Sequence, residues 1–326
     1  MKKKTSEKTN KLKLVIGTLA VLVFAILLTG CGDSDLKTDA SNDSLLEAVE
    51  GETTYPVTVT DDLGYEVVIE KEPERIASLG PAQTEILFAL GVKDKIVGRS
   101  DIDDYPAEVA DIPSVGTYYE PNIELIIGAA PDLVIAANYI EEDARTQLNQ
   151  AGIQVYACYD AGLYQTENNI IKIGNMLNAN DSAAKIVSEM ENKRKEIAEI
   201  CKKAETQKKV FVDLGDFYSA GDGSLLDDML KEINALNIAA GSGEAWPQLS
   251  LEKIISENPD VYLSLFESKE EIAKKPGLDA INAVKEDTIY ALDPFSQEAS
   301  MIQRSGPRII DGLEIMAKLI YPELFK

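Results

Sequence analysis

Apolar and polar residues alternate along residues 57–70, VTVTDDLGYEVVIE, with one break at Asp-Leu-Gly. A period of two marks a strand with one buried face, and a Gly-containing break predicts a hairpin. The pattern then changes. RIASL, residues 75–79, reads as a short buried strand, and Gly80-Pro81 ends it. Thr84-Glu85 opens an apolar helix that stops near Gly91, and Ile96-Val97-Gly98 is the next strand. Strands alternating with helices predict a parallel, doubly wound α/β sheet. Residues 181–207 contain no Gly or Pro and are rich in Ala, Glu, Lys and Ile. They predict one helix of about 25 residues, ~38 Å long at 1.5 Å per residue, with Asp181 as its N-cap.

The pattern also repeats. Residues 124–135 read Glu-Leu-Ile-Ile-Gly-Ala-Ala-Pro-Asp-Leu-Val-Ile, and residues 252–263 read Glu-Lys-Ile-Ile-Ser-Glu-Asn-Pro-Asp-Val-Tyr-Leu. Both are Glu-x-Ile-Ile-x-x-x-Pro-Asp leading into a strand. Upstream, RIASLG (75–80) matches VFVDLG (210–215) as a strand closed by Leu-Gly. The offset is 135 at these strands and 128 at the Glu residues, as expected for two copies of one unit that differ slightly in length. The chain therefore divides into two Rossmann-like α/β lobes, residues 56–178 and 207–326. A rigid linker helix over 179–206 joins them, and a ligand cleft lies between them.

The N-terminus follows a different logic. Six Lys precede an apolar run over residues 14–28, which is too short for a comfortable membrane span. Basic segment and apolar run together read as a secretory signal over residues 1–30. It ends in Leu28-Thr29-Gly30-Cys31, which resembles the signals of bacterial lipoproteins; that resemblance implies a lipid on Cys31. Residues 31–55 are polar and acidic and read as a flexible tether, with a reach on the order of 25–30 Å.

Charge narrows the partners. The chain carries 32 basic and 56 acidic residues. Without the six Lys and one Glu of residues 1–30, 26 basic and 55 acidic residues remain, a net charge of −29. Nucleic acid is disfavoured, because neutralising phosphates takes clustered Lys and Arg. So is electrostatic adhesion to an anionic membrane, which leaves the lipid as the anchor. His is absent, which excludes Ser-His-Asp and Cys-His catalysis in their common forms and disfavours a transition-metal site. No phosphate-binding GxxxxGK[ST] loop and no GxSxG occur, and Gly221-Asp-Gly223 lacks the third Gly of a dinucleotide loop. No constellation points to an enzyme. Cys158 lies in a strand-like run and Cys201 in the long helix, and both are expected as free thiols.

The repeat singles out a site. Six residues before Glu124 stands Tyr118, followed by Tyr119; six before Glu252 stands Trp246, the only Trp. Facing lobes would set these rings on two walls of one cleft, where flat or apolar ligands are held. Phe217 and Tyr218 follow a strand, at the carboxyl end where open α/β sheets bind ligands. Ala82 in the break after the first strand, Phe295 past the strand 288–292, and Arg304 before the last helix complete the cleft candidates. Asn122 and Ser250 cap the repeated helices, so Glu124 and Glu252 sit in first turns, where the helix dipole favours them by ~0.3–1 kcal/mol. As a matched pair they also make two anionic pegs for a basic partner. Asp103-Asp104-Tyr105-Pro106 reads as a structural turn.

RIASLGPAQTEILFALG, the Asp-Tyr-Pro turn, PNIELI…PDLVI and the closing GPRI resemble the substrate-binding lipoproteins of ABC importers for vitamin B12, ferric siderophores and haem. The resemblance covers nearly all of the chain after Cys31. It implies two lobes joined by a rigid helix with little hinge motion, and docking of Glu124 and Glu252 onto Arg residues of the permease. AWPQLSLEKI looks most like the vitamin B12-binding members, in which the Trp stacks on the corrinoid. Tyr118 stands where their first-lobe Trp stands. The chain departs from them at Ile102, where they carry a cleft Tyr, and at residues 299–302, where they carry Asp-Trp-Phe. The resemblance implies a monomeric, non-enzymatic receptor on the outer face of the cytoplasmic membrane, delivering cobalamin or another corrinoid to a permease dimer with its ATPase subunits. A ferric-siderophore or haem receptor is the alternative.

Overall fold

The computed structural model describes residues 50–137, 140–159 and 162–326. The signal-like segment 1–30, Cys31 and residues 32–49 lie outside the described residues. The fold is mixed α/β with parallel sheets.

Strands β1 (Val57–Thr60) and β2 (Glu66–Ile69) form the expected antiparallel hairpin, with Thr60 opposite Glu66. Asp61 holds the turn, accepting the amides of Leu63 at 3.0 Å and Tyr65 at 2.8 Å. Its other oxygen pairs with buried Arg145 at 2.6 Å, so the hairpin is fastened to the body by a desolvated ion pair.

The first half then runs β3 (Ile76–Leu79), α1 (Pro81–Ala89), β4 (Ile96–Arg99), α2 (Ile123–Ala129), β5 (Leu133–Ala137), α3 (Glu142–Gln150) and β6 (Gln154–Cys158). Helices α4 (Leu163–Met176) and α5 (Asn180–Cys201) follow. The second half runs β7 (Lys209–Asp213), α6 (Leu225–Glu232), β8 (Leu236–Asn237), α7 (Leu251–Glu257), β9 (Val261–Ser264), α8 (Lys269–Ile272), α9 (Asn282–Lys285) and β10 (Ile289–Ala291), closed by α10 (Gln297–Gln303) and α11 (Ile309–Ile320). The sheet orders are β4-β3-β5-β6 and β8-β7-β9-β10, all parallel. In each half the first strand lies between the second and the third, so the sequence repeat is also a repeat of topology.

Sheet register corrects one detail of that repeat. Ile76 pairs with Leu133 and Val210 pairs with Val261. Leu133 and Val261 each follow Pro-Asp and are 128 apart, so Ile76 corresponds to Val210 at an offset of 134, not 135. A one-residue shift would turn every side chain to the opposite face, and burial agrees with 134. Ile76 and Val210 enter one core cluster, whereas Ala77 and Phe211 face outward into two others. The second copy carries its extra residue just after the strand: Leu79, which ends β3, corresponds to Asp213, which ends β7, and Leu214 then stands between Asp213 and Gly215.

The inner faces share a core. Ile76, Leu133, Ile135 and Tyr156 of the first sheet join Val210, Val212, Val261 and Leu263 of the second in one apolar cluster, with side chains of α4, α5 and α11 between them. Helix α5 has 22 residues, about 33 Å of length, and packs on α4 and α11. It is shorter than the expected 179–206. Its N-cap is Ala179 without a side-chain bond, and Asp181 instead lies inside the first turn, where its charge complements the dipole.

Residues 51–55 belong to the folded body rather than to the tether. Thr53 donates to Asn178 Oδ1 and to the Asn175 carbonyl, both at 2.8 Å. Asn180 donates to the Gly51 carbonyl at 2.7 Å, and the Tyr55 hydroxyl to that of Met176 at 3.0 Å. The strap thus closes on the α4–α5 corner, more than 120 residues along the chain. Cys158 and Cys201 are buried and form no disulfide, and burial pushes the Cys201 thiol up to about 11.

Candidate functional site: a cleft between the two sheets

The loop before α2 makes the first wall. Gly116 bridges to Pro121, and Thr117 Oγ1 accepts the Glu120 amide at 2.9 Å. The resulting turn carries Tyr118 and Tyr119 at its tip, with ring centroids 4.9 Å apart and edge to face. Tyr118 lies over Gly80, where an added Cβ would stand 3.1 Å from its ring and 2.3 Å from the Gln83 side chain.

The second wall is a short antiparallel clamp. Gly221 donates to the Ala245 carbonyl at 2.8 Å, Ser219 to Pro247 at 2.8 Å, and Leu249 to Phe217 at 3.0 Å. Trp246 projects from this clamp and is 54% exposed. Between the walls lies a cavity of about 280 Å³ lined by Tyr118, Tyr119 and Tyr159 from the first half and by Leu214, Gly223, Leu225, Leu226, Ala245, Trp246 and Gln303 from the second. Tyr159 follows β6, and Leu214 follows β7. The cavity therefore opens at the carboxyl ends of strands from both sheets, where open α/β sheets bind ligands.

None of these lining residues is basic, and the nearby Arg side chains are engaged. Arg304 donates to Glu85 at 3.2 Å and to both oxygens of Asp104, at 2.6 and 3.2 Å. Arg308 grips Glu85 with two bonds of 2.8 and 2.7 Å, donates to Gln297 at 2.7 Å and stacks 3.6 Å over the Tyr105 ring. Glu85 is buried in α1, so this cluster ties the end of the second half to the first. Asp228 of α6 makes a further tie by accepting the Leu163 amide at 2.7 Å, at the start of α4. The Asp-Tyr-Pro turn is structural, as expected. Asp103 is buried and accepts the hydroxyls of Thr84, at 2.5 Å, and of Ser100, and burial pushes its carboxyl up to about 6.

The expected cleft residues separate. Tyr118, Tyr119 and Trp246 meet at the cavity; Ala82, Phe217, Tyr218, Phe295 and Arg304 are not among its lining. Ala82 is buried within α1. Asp216 and Phe217 both have positive φ, +50° and +63°, the handedness of a type I′ turn. That turn swings the Phe217 ring to 6.4 Å from Phe211 and under Lys275, on the outer face of the second sheet. Tyr218 is exposed beside Gln248, and Phe295 is 91% exposed beyond β10. Arg304 is held by two carboxylates and bridges the halves.

Glu124 and Glu252 occupy equivalent and exposed places. Asn122 accepts the Leu125 amide and Ser250 the Lys253 amide, capping two helices of seven residues each. Both helices end on a left-handed residue, Ala130 and Asn258. Arg75 then donates to the carbonyls of Ala129 and Ala130, and Lys209 to that of Glu257. Basic side chains at helix C-termini are favourable, and both come from the residue just before the matched strand position. Sequence reading passed over Tyr159, Leu214 and the Leu225-Leu226 pair. The signal for the first two was present, since each directly follows a strand.

Comparison with known proteins places this architecture. The family model described as periplasmic binding protein matches residues 76–295, and the chain belongs to that family. Its members are substrate-binding proteins that work with ABC transporter permeases and ATPases. The chain is 36% identical over 317 residues to the uncharacterised ABC transporter substrate-binding lipoprotein YvrC of Bacillus subtilis, covering 94% of this chain and 97% of that one. It is 28% identical over 276 residues to a cobalamin-binding protein of Halobacterium salinarum, covering 82% and 75%. Among solved structures, a possible iron-binding, periplasmic solute-binding protein of Staphylococcus epidermidis superposes with a TM-score of 0.66 at 31% identity, covering 77% of this chain and all of that one.

Proposed function

We propose that this protein is a lipid-anchored receptor that captures a corrinoid in the cleft between two α/β lobes and delivers it to an ABC importer. The reading rests chiefly on one observation. Tyr118 and Tyr119 from one half and Trp246 from the other line a single cavity, and none of its lining residues is Lys or Arg. A corrinoid offers a broad face for the rings and neutral side amides for a few polar groups. Haem propionates and anionic siderophore complexes want cations, and Arg304 and Arg308 are already paired with Glu85 and Asp104. About 280 Å³ lies just below the ~300–1,000 Å³ of small-molecule pockets, so a corrinoid would be gripped between the walls and stay partly open to water.

In this reading Cys31 carries the lipid on the outer face of the cytoplasmic membrane, and residues 32–50 are the tether. Helix α5 joins the lobes, the chain acts as a monomer, and no chemical step is performed. Glu124 and Glu252 dock on basic residues of the permease dimer. The cobalamin-binding relative supports the ligand class. The cavity also holds three phenols, Tyr118, Tyr119 and Tyr159, and Tyr is a haem-iron ligand in some proteins. With the iron-binding description of the Staphylococcus structure, this favours haem or a ferric complex as the second reading.

Calorimetric titration with cyanocobalamin, haemin and ferric siderophores tests the choice. The corrinoid reading expects saturable binding of cyanocobalamin with quenching of Trp246 emission. Haemin binding that is lost when the three Tyr are changed to Phe, with no response to cyanocobalamin, would replace it.

A further inference from the structure

Trp246 is half-exposed and reaches the cavity from a loop, so something must hold its ring in place before a ligand arrives. The clamp with residues 217–221 fixes the backbone on the far side of the ring, at Pro247 and Leu249. On the near side the chain passes through Gly241-Ser-Gly243-Glu244, with Gly241 and Gly243 at φ +78° and +76°. Such a stretch is pliable in isolation, because Gly occupies left-handed and right-handed backbone about equally.

Asp222 closes it. Its Oδ1 accepts the Gly241 amide at 3.0 Å and its Oδ2 the Gly243 amide at 2.9 Å. These two backbone bonds hold the carboxyl below its ordinary range. The neighbouring Gly221 donates to Ala245 at 2.8 Å. A Cβ on Gly221 would stand 2.3 Å from the Glu244 carbonyl oxygen and 2.9 Å from the Pro247 ring. Residues 221 and 222 thus grip the loop at 241, 243 and 245, and the next residue is Trp246.

We propose that Asp222 is a positioning residue that fixes the Gly241–Ala245 loop and so holds the Trp246 ring ready to stack on the ligand. This rests on the reading of Trp246 as a ligand platform. A platform fixed in advance loses less freedom on binding, and ordering one side chain or loop costs roughly 0.5–1.5 kcal/mol. Releasing it therefore weakens binding by about three- to tenfold, mostly through faster dissociation.

The single Trp makes the loop observable without a ligand. In the full chain, Asp222→Ala is expected to raise acrylamide quenching of Trp246 emission, to lower its anisotropy, and to weaken cyanocobalamin binding by about three- to tenfold. Asp222→Asn keeps an acceptor oxygen and recovers part of both effects. Gly221→Ala, which forces the loop away at a second point, moves quenching in the same direction. Unchanged quenching in Asp222→Ala overturns the proposal, and so does increased quenching with unchanged cyanocobalamin affinity. A fall in thermal midpoint with quenching unchanged also overturns it, since the role is then only structural. If the wild type itself ignores cyanocobalamin, the corrinoid reading fails. The quenching comparison alone then decides whether Asp222 holds the ring.

Discussion

Truncation of Trp246 is the most direct perturbation of the cleft, and its size follows from the geometry. A Trp side chain has about 250 Å² of surface, and 54% of this residue is exposed in the free protein. A flat ligand covers one of the two ring faces, about 70 Å². At ~25 cal/mol per Å² this is roughly 1.7 kcal/mol, or close to twentyfold in affinity. The rest of the side chain, about 115 Å² by the same figures, is buried against the protein, so its loss also costs roughly 2–3 kcal/mol of stability and should lower the thermal midpoint by several degrees while melting stays cooperative. Trp246→Ala removes the fluorophore, so the variant is compared with wild type by calorimetry using cyanocobalamin, with Trp246→Phe as a control that retains a ring. An affinity within twofold of wild type, in a variant that still melts cooperatively, refutes stacking as the source of binding.

The remaining predictions concern docking, burial and the tie between the halves. On the docking proposal, changing Glu124 and Glu252 together to Ala should leave cyanocobalamin affinity within about twofold and abolish ATP-driven uptake in proteoliposomes holding the cognate permease, as expected for contacts across a charged interface; equal loss of both activities counts against docking. Burial raises the Asp103 carboxyl to about 6, so folding takes up a proton between about pH 4 and 6, and its contribution falls as pH rises through that window. Asp103→Asn should therefore be more stable than wild type at pH 7 by on the order of 2–3 kcal/mol and nearly equal to it at pH 4, measured by urea unfolding; a difference that shrinks with rising pH reverses the sign and sinks the assignment. Glu85→Ala leaves Arg308 without its buried acceptor, at a cost of about 3 kcal/mol, and should lower the calorimetric midpoint by roughly 6–10 °C; a midpoint within 2 °C of wild type would mean that Asp104 and Gln297 hold both Arg side chains unaided.

Much of the scaffold was legible in local spacing. The hairpin over 57–70, the strand after each Pro-Asp and the two N-capped helices with their Glu residues all follow from short-range rules, and the structure shows them where expected. The Glu-x-Ile-Ile-x-x-x-Pro-Asp repeat predicted two copies of one unit, and the two sheets have one strand order. Its reading slipped by one residue at β7, because Leu-Gly marks where a strand exits and not which face its residues occupy. Only hydrogen-bonded register with β9 settles that. The strap of residues 51–55 was hidden for a related reason: Thr53 and Tyr55 look like tether until Asn175, Asn178 and Asn180 arrive from far along the chain.

By itself the sequence determined the α/β alternation, the duplication, and the pairing of Tyr118 with Trp246 and of Glu124 with Glu252. Each depends on periodicity or on a fixed distance along the chain. The tertiary structure decided which aromatic residues face the cleft and what charge it presents. Two successive left-handed residues at 216 and 217 turned Phe217 away, and no apolar pattern encodes that handedness. Arg304 and Arg308 were neutralised by Glu85 and Asp104, about 200 or more residues earlier, because an ion pair is set by proximity in space. Among the described residues lining the cleft there is no cation for that reason, although the sequence carries two Arg within five residues of Gln303.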